Sequence, residues 1–341
     1  MAARRGDTLL FPTPPVVAAH AAIGGKKEGE GPLAACFDAL SADNFFGQSS
    51  WEAAEKELAL QTARLCLKKA QTTPEKVSLV LAGDLQAQCT ASSYAMRELG
   101  IPFAGLFGAC STMAEALGLG AALCSAGMAD GLLAMTSSHF CAAERQFRTP
   151  LSYGAVRTPT AQWTATAAGA CLLRPAGEGV QLCAVTFGRV QDYKIKDINN
   201  MGAAMAPAAA ATLLRYLKDT GSAPEDFDRI YTGDLGHVGS QLLRDLLAAE
   251  GLLLKNHVDC GCILYDAAEQ TVKSGGSGPG CCASVLCGHI LPRLEKGTQK
   301  RVLFIATGAL MSQTTFLQKE SIPAIAHLVE LRSPQQREEN G

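Results

Sequence analysis

The chain has 341 residues, of which 48% are hydrophobic and 18% charged, so it can build a large core and is not intrinsically disordered. Its 30 Lys and Arg residues against 32 Asp and Glu residues give a formal charge of −2. This balance excludes the basic footprint of a general nucleic-acid binder and a polybasic lipid anchor. At roughly 100–200 residues per domain, the length indicates two domains or one large duplicated domain.

Alternating apolar runs and turn residues predict an α/β chain. In the first half we expect strands at 16–23, 77–82, 103–107 and 132–136, and a helix from 51 to about 70 capped by Ser49 or Ser50. In the second half we expect strands at 165–173, 180–190 and 302–307, and helices from about 207 to 219 and from 238 to 250. The polar segment after Ser333 is expected to fray.

The two halves repeat the same pattern. Leu81–Leu85 (LAGDL) and Tyr231–Leu235 (YTGDL) each end an apolar run, and their Gly-Asp-Leu sequences are 150 positions apart. Cys110 precedes Thr136 by 26 positions, and Cys281 precedes Thr307 by the same number. A duplicated α/β unit explains both correspondences. We therefore expect an N-terminal half over residues 1–175, with an inserted functional loop at 139–163, and a C-terminal half over residues 176–341.

Neither a membrane span nor a secretion signal is predicted. The charge-free stretch 116–129 is shorter than the roughly 20 apolar residues that a bilayer requires, and glycines interrupt the stretch 274–292. Asp7 and three prolines break the run that follows Arg4 and Arg5, so we interpret it as a strand rather than a signal peptide. The odd count of 13 cysteines indicates free thiols in a reducing, cytoplasmic-type compartment. Without a span, the chain is not expected to carry a solute across a membrane alone.

Cys110 is the strongest candidate for chemistry. It lies between a predicted strand and a small-residue helix, where unpaired backbone N–H groups and the helix dipole lower a thiol pKa or bind a carboxylate. The alternative is a small buried thiol. A nucleophilic cysteine needs a base, and His237 and His139 both follow strands at the sheet edge where ligands collect. Each of these histidines alone is equally compatible with a structural role.

Two further segments carry candidate ligand groups. Arg145 and Arg148, beside Glu144 in the sequence AERQFR, form either a clamp for an anion or a solvated ion-pair loop. The segment Ser274–Gly280 is rich in glycine but lacks the register of a nucleotide-binding motif, so we interpret it as backbone that passes close to a pocket. The cysteine pairs at 260/262 and 281/282 lack zinc-site spacing, and no metal site is predicted.

The doubled unit with Cys110 at a helix start resembles the thiolase and ketoacyl-synthase superfamily. More closely, the chain is similar to the family of stage V sporulation AD proteins of endospore-forming bacteria. The matching stretches, which span most of residues 5–332, include LAGDL at 81–85, LFGACST at 106–112, TSSH at 136–139, AERQFR at 143–148, MGAAMAPAAA at 201–210, ATGAL at 306–310 and KESIP at 319–323.

This resemblance implies a thiolase-like α/β fold, in which duplicated βαβαβαββ halves form a five-layered αβαβα arrangement, and a homodimer. It implies a protein that binds dipicolinic acid and serves its uptake, as calcium dipicolinate, into the forespore. The implied partners are membrane proteins of the same sporulation system, and the implied location is peripheral to the inner membrane of the forespore or spore. No cofactor is implied, and Ca²⁺ enters as the counter-ion of the ligand.

The chain departs from thiolases at two catalytic positions. The Gly-His-Pro motif of thiolases corresponds here to Gly275–Gly280 without a histidine, and the turn at Thr307–Leu310 lacks the second cysteine. Loss of a general base typically costs about 10²–10⁴-fold in rate. The sequence therefore favours a ligand site built from helix-start donors and cationic side chains, namely Cys110, Ser111, Thr112, His139, Arg145, Arg148 and His237. The alternative is an acyltransferase or condensing enzyme with Cys110 as nucleophile and His237 as base.

Overall fold

The structure, a computed structural model, describes residues 2–147 and 156–334. The strands, in chain order, are β1 (Ala3–Arg5), β2 (Thr8–Leu10), β3 (Val16–Gly24), β4 (Ala39–Leu40), β5 (Leu79–Gly83), β6 (Phe103–Gly105), β7 (Leu132–Ser138), β8 (Trp163–Thr164), β9 (Ala167–Arg174), β10 (Val180–Thr186), β11 (Arg229–Thr232), β12 (His257–Asp259), β13 (Gly276–Ser277), β14 (Arg301–Ala309) and β15 (Ala324–Arg332). The helices are α1 (Lys26–Gly29), α2 (Trp51–Lys69), α3 (Thr90–Leu99), α4 (Thr112–Ser125), α5 (Phe140–Glu144), α6 (Met201–Thr220), α7 (Gly236–Ala249), α8 (Cys260–Leu264), α9 (Pro279–Val285), α10 (Leu291–Glu295) and α11 (Gln313–Leu317). A π-helical turn, Leu286–Ile290, joins α9 to α10.

The strand order has an internal symmetry. Along the sheet the order is β12-β11-β14-β15-β10-β3-β9-β7-β5-β6, so the first five strands mirror the last five. In each half the strand that ends in Gly-Asp-Leu, β5 or β11, lies between two parallel neighbours. The halves join through β3 and β10, which pair at only two positions. This arrangement confirms the duplicated α/β fold.

We call the five strands β3, β9, β7, β5 and β6 the first half-sheet, and β10, β15, β14, β11 and β12 the second. The helices form three layers around these two half-sheets. The apolar face of α2 packs with α3 against the first half-sheet, and α6 and α7 cover the second in the same way. The small-residue helices α4 and α9 lie between the half-sheets, and each contacts strands of both halves. Because Gly and Ala leave little side-chain bulk, these central helices can pack closely on both sides. The result is the predicted αβαβα layering.

Most of the predicted elements lie within a few residues of the expected positions, and the largest displacement concerns one helix. The helix expected from about Pro207 begins six residues earlier, at Met201, and is capped by the Asn200 side chain, which accepts from the Ala203 backbone N–H. Proline usually marks a helix start because it lacks a backbone donor. Here Pro207 is buried inside the helix, where packing outweighs the missing hydrogen bond.

The internal repeat has a slightly different register from the one that the cysteine spacing suggested. Ala82 of β5 pairs with Met135, and Thr232 of β11 pairs with Ile305. Equivalent positions in β7 and β14 are therefore 170 residues apart, not 171. Cys281 is correspondingly the third residue of α9 rather than a residue ahead of the helix, so it is not a second Cys110.

The segment expected as an inserted loop, 139–163, contains more structure than predicted. It starts with the short helix α5, and β8 begins at its last residue, Trp163. Residues 148–155 lie outside the described part of the chain. Within the described ranges, no helix is both long and apolar enough to cross a bilayer.

Candidate functional site

A cavity of about 770 Å³ lies where strands of both halves end, in the volume range of small-molecule sites. Its lining comes from the start of α2, the turn after β5 at residues 85–87, the turn at 107–110, residues 143–147 around the end of α5, the start of α6 and the segment 309–315 after β14. The carboxyl ends of parallel strands form a natural crevice at such an edge. The duplicated fold thus builds one cavity from both halves.

Cys110, the strongest candidate from the sequence, lies in the lining of this cavity. It occupies a 3₁₀ turn, Ala109–Ser111, that leads directly into α4. Ala109 adopts a left-handed backbone conformation with φ +52°, which turns the chain sharply after β6. The cysteine is 8% exposed, so its thiol faces a largely dry environment.

The side chains of Ser111 and Thr112 form hydrogen bonds within the turn itself. The Ser111 hydroxyl donates to the Gly108 carbonyl at 2.6 Å, and the Thr112 hydroxyl donates to the Ala109 carbonyl at 2.7 Å. Both side chains are fully buried, and neither lies in the cavity lining. These hydroxyls stabilise the Cys110 turn rather than presenting donors to a ligand.

The partner of the Cys110 thiol is Asp234, the residue after Gly233 in the second Gly-Asp-Leu sequence. Its carboxylate is fully buried and accepts hydrogen bonds from the Thr307 hydroxyl at 2.8 Å and the Gly278 backbone N–H at 2.9 Å. The Ser277 hydroxyl donates to the same group at 3.2 Å. These three donors hold the carboxylate against the Cys110 turn.

This pairing disfavours a thiolate. Burial, followed by the charge of Asp234, raises the pKa of Cys110 well above its usual value. Burial also raises the pKa of Asp234, while its hydrogen bonds oppose that shift. An activated cysteine needs a cationic or basic neighbour, whereas Cys110 has a carboxyl group.

The two candidate histidines lie elsewhere. His139 is 1% exposed and caps α5, and its Nε2 donates to the Asn44 carbonyl at 2.8 Å. Burial lowers its pKa, so the ring is held neutral. His237 is exposed in the first turn of α7. Among the described residues, the cavity lining contains no histidine.

Arg145 does lie in the cavity lining, one residue after α5. Its guanidinium forms an ion pair with Glu52 at 2.5 Å and lies 5.9 Å from the centre of the Trp51 ring. Glu52 lines the cavity as well. Arg148, the second arginine of the predicted clamp, lies outside the described residues.

Arg157 contacts both Glu144 and Gln162, which lie on either side of it in the chain, close to Arg145. Its guanidinium forms an ion pair with Glu144, donates to the Gln162 carbonyl and lies over the stacked rings of Phe140 and Trp163. Glu144 is 1% exposed on its side chain, so this pair is shielded from water. Arg145 therefore directly follows a residue, Glu144, that Arg157 links to Gln162.

Sequence reasoning missed Asp234 and Glu52 as site residues. The Gly-Asp-Leu repeat indicates duplication, but an acidic residue directly after a parallel strand is also a recognisable ligand or catalytic position. Glu52 had a weaker signal, an acidic residue in the first turn of a helix, which is common for helix stability alone. No group of three or more metal-ligating side chains occurs in the described ranges.

Solved structures with the same fold include a 3-oxoacyl-[acyl-carrier-protein] synthase and OleA. The chain superposes on 3-oxoacyl-[acyl-carrier-protein] synthase III from Aquifex aeolicus with a TM-score of 0.57, covering 93% of this chain and 99% of that one at 12% identity. A point variant of OleA from Xanthomonas campestris gives a TM-score of 0.61, with 95% and 99% coverage at 14% identity. The chain therefore has the thiolase-like fold.

The particular family within this fold is also defined. The family model for Stage V sporulation protein AD (SpoVAD) matches residues 5–332. Stage V sporulation protein AD of Bacillus subtilis is 42% identical over 322 residues, which are 94% of this chain and 95% of that protein. The chain belongs to the SpoVAD family and is a sporulation protein on a thiolase-like scaffold.

Proposed function

We propose that the chain binds dipicolinate in the cavity beside Cys110 and thereby serves the uptake of dipicolinate, or calcium dipicolinate, into the forespore. The observation that carries this proposal is that the cavity contains the Cys110 position but pairs its thiol with a carboxyl group, Asp234. Such a cavity favours holding a ligand over reacting with it.

The cavity chemistry suits a flat aromatic carboxylate. Phe107, Phe147, Met201 and Met205 supply apolar surface for a ring. Arg145 supplies a planar pair of donors that can bind a carboxylate in a bidentate way. Arg145 is therefore the residue that we expect to bind one ligand carboxylate.

Acyl transfer is the alternative, and the same site weighs against it. A condensing mechanism needs a thiolate and a general base within hydrogen-bond reach. Cys110 is held as a thiol, and the described lining contains no histidine. The likeness to condensing enzymes at 12% and 14% identity concerns the fold alone.

We further propose a homodimer that works with membrane proteins of the same sporulation system. The strand order of the first half ends at β6, and two large side chains close to it, Tyr94 and Phe107, are 52% and 59% exposed. An edge strand flanked by exposed aromatic residues is a typical pairing surface. Light scattering coupled to gel filtration tests this: a mass of twice 35.7 kDa supports the dimer, and a monomer mass contradicts it.

Calorimetric titration of the purified chain with dipicolinate tests the proposed function. We expect one saturable site, in the presence or absence of Ca²⁺, with affinity reduced on the order of tenfold or more in Arg145→Gln because a charge-assisted pair is lost. Isophthalate, which has the same carboxylate spacing without the ring nitrogen, is the matched control ligand. No saturable binding of dipicolinate under either condition would refute the proposal.

A further inference from the structure

The charges that line the cavity are few. Among the described residues, the lining contains one cationic side chain, Arg145, and one anionic side chain, Glu52. The remaining lining residues are apolar or uncharged polar groups such as Gln86, Gln146 and Ser277. In this described part of the lining, an anionic ligand meets one full positive charge, that of Arg145.

The Arg145 guanidinium already has an anionic partner, Glu52. A guanidinium nitrogen of Arg145 lies 2.5 Å from a carboxylate oxygen of Glu52. The two side chains form an ion pair in which one guanidinium nitrogen faces one carboxylate oxygen. Glu52 therefore holds the place that a ligand carboxylate would take.

We propose that Glu52 sets the affinity of the cavity for carboxylate ligands by acting as an internal competitor for Arg145. This inference rests on the proposed function for its ligand class, and it adds a residue with a separate role. Glu52 is a positioning residue: it holds the Arg145 side chain at the cavity wall, and an incoming carboxylate displaces it.

The exchange is energetically feasible because both partners tolerate separation. The side chain of Glu52 is 30% exposed and that of Arg145 is 49% exposed, so water can hydrate the Glu52 carboxylate once it is displaced. Glu52 also lies in the first turn of α2, where the partial positive charge of the helix N-terminus continues to stabilise it. Arg145 keeps its contact with the face of Trp51.

Competition differs measurably from simple repulsion between Glu52 and an anionic ligand. If Glu52 acts by occupying Arg145, the effect of removing it depends on Arg145. If Glu52 acts by repelling anions, the effect is the same with or without Arg145. A double-mutant cycle separates the two cases.

The experiment compares wild type, Glu52→Gln, Arg145→Gln and the double variant, with dipicolinate, benzoate and the uncharged pyridine-2,6-dicarboxamide as probes. We expect Glu52→Gln to bind both carboxylates roughly two- to fivefold tighter, the scale of a partly exposed ion pair. The gain should disappear in the Arg145→Gln background, and affinity for the diamide should not change. Glu57→Gln, on the same helix but outside the cavity lining, is the matched control and should not alter binding.

The outcomes are distinct. An unchanged or weakened affinity for carboxylates in Glu52→Gln overturns the inference, as does a gain of equal size in both Arg145 backgrounds. Weakening confined to titrations with Ca²⁺ also overturns it, because Glu52 would then contact the bound cation. If benzoate behaves as expected while dipicolinate binds to no variant, the competitor role stands and the proposed function fails.

Discussion

The Asp234 carboxyl group lies within hydrogen-bonding reach of the Cys110 thiol, although the two residues belong to different halves of the chain. The turn before α4 supplies the thiol, and the strand end after β11 supplies the carboxyl group. Each half of the duplicated fold thus contributes one member of the pair. The pair places a carboxyl group beside the thiol, where a condensing enzyme needs a base.

Cys110 is expected to be a slow nucleophile. Because burial and Asp234 raise its pKa, alkylation by iodoacetamide at pH 8 should modify the half-buried Cys36 before Cys110. Removing the charge in Asp234→Asn should speed alkylation of Cys110 roughly three- to tenfold. Peptide mass mapping measures both rates. Preferential modification of Cys110 in wild type, or an acyl-thioester on Cys110 after incubation with acyl-CoA, would contradict this expectation.

Arg157 is expected to stabilise the segment that carries Arg145. Its side chain is 11% exposed and faces the 1% exposed carboxylate of Glu144, so Arg157→Met removes a buried ionic partner. We expect the free energy of unfolding in urea to fall by about 3 kcal/mol. Arg189→Met is the control, because Arg189 is 65% exposed in its pair with Asp7 and should cost less than about 1 kcal/mol. Equal losses for both variants would show that the Arg157–Glu144 pair contributes no more to the free energy of unfolding than the exposed Arg189–Asp7 pair does.

The sequence predicted the fold better than the site, for a physical reason. Strand and helix periodicity and the Gly-Asp-Leu repeat depend on local spacing, and they located β5 and α2 within a few residues. The position of Cys110 at a strand-to-helix junction followed from the same spacing. These features need no knowledge of how the halves pack.

The partners of Cys110 depend on packing across the halves. His237 and Asp234 are three residues apart in the sequence, but the chain turns into α7 between them. Asp234 consequently faces the interior and His237 faces solvent. Local sequence does not determine which of two nearby polar residues points inward after a strand.

Glu55 is expected to make stability depend on pH. It is fully buried, receives a hydrogen bond from Gln86 at 2.8 Å and lies near Asp84. Burial, followed by the charge of Asp84, raises its pKa above the usual value of 4.5. The folded chain thus retains a proton that the unfolded chain releases. This contribution to stability is complete below pH 4.5 and is lost as the pH rises.

Glu55→Gln tests that expectation, because the amide cannot ionise and can still bond with Gln86 and Ser137. Between pH 5 and pH 8, the free energy of unfolding should fall by at least about 1 kcal/mol more in wild type than in this variant. Urea titrations at several pH values measure the difference. Glu57→Gln should follow the wild-type curve, since Glu57 is on the same helix but pairs with Lys56 at the surface-facing side. Parallel curves for wild type and Glu55→Gln would contradict the assignment.

Tyr265 is expected to bind the two halves together through Glu28. The Tyr265 hydroxyl donates to one carboxylate oxygen of the fully buried Glu28, and the other oxygen, Oε2, has no partner in the described structure. Tyr265→Phe removes that donor without changing the ring, so we expect unfolding in urea to be easier by about 2 kcal/mol. Tyr231→Phe, which loses a hydrogen bond to the half-buried Gln299, should cost less. A smaller loss for Tyr265→Phe than for Tyr231→Phe would overturn this ranking.

Gly308 is expected to maintain the cavity because it lets β14 approach the Cys110 turn. A Cβ atom added to Gly308 would lie 2.5 Å from the Gly108 carbonyl oxygen and 3.1 Å from the Ser111 nitrogen, so backbone would have to move. Gly308→Ala should therefore shift the turn, lower stability by about 1–3 kcal/mol and weaken the proposed binding of dipicolinate. Gly131→Ala, whose added Cβ would meet one backbone oxygen at 3.2 Å far from the cavity, controls for the general cost of the substitution. If Gly308→Ala loses stability but keeps full affinity, the turn tolerates displacement and the position of Cys110 is less important for binding than the geometry indicates.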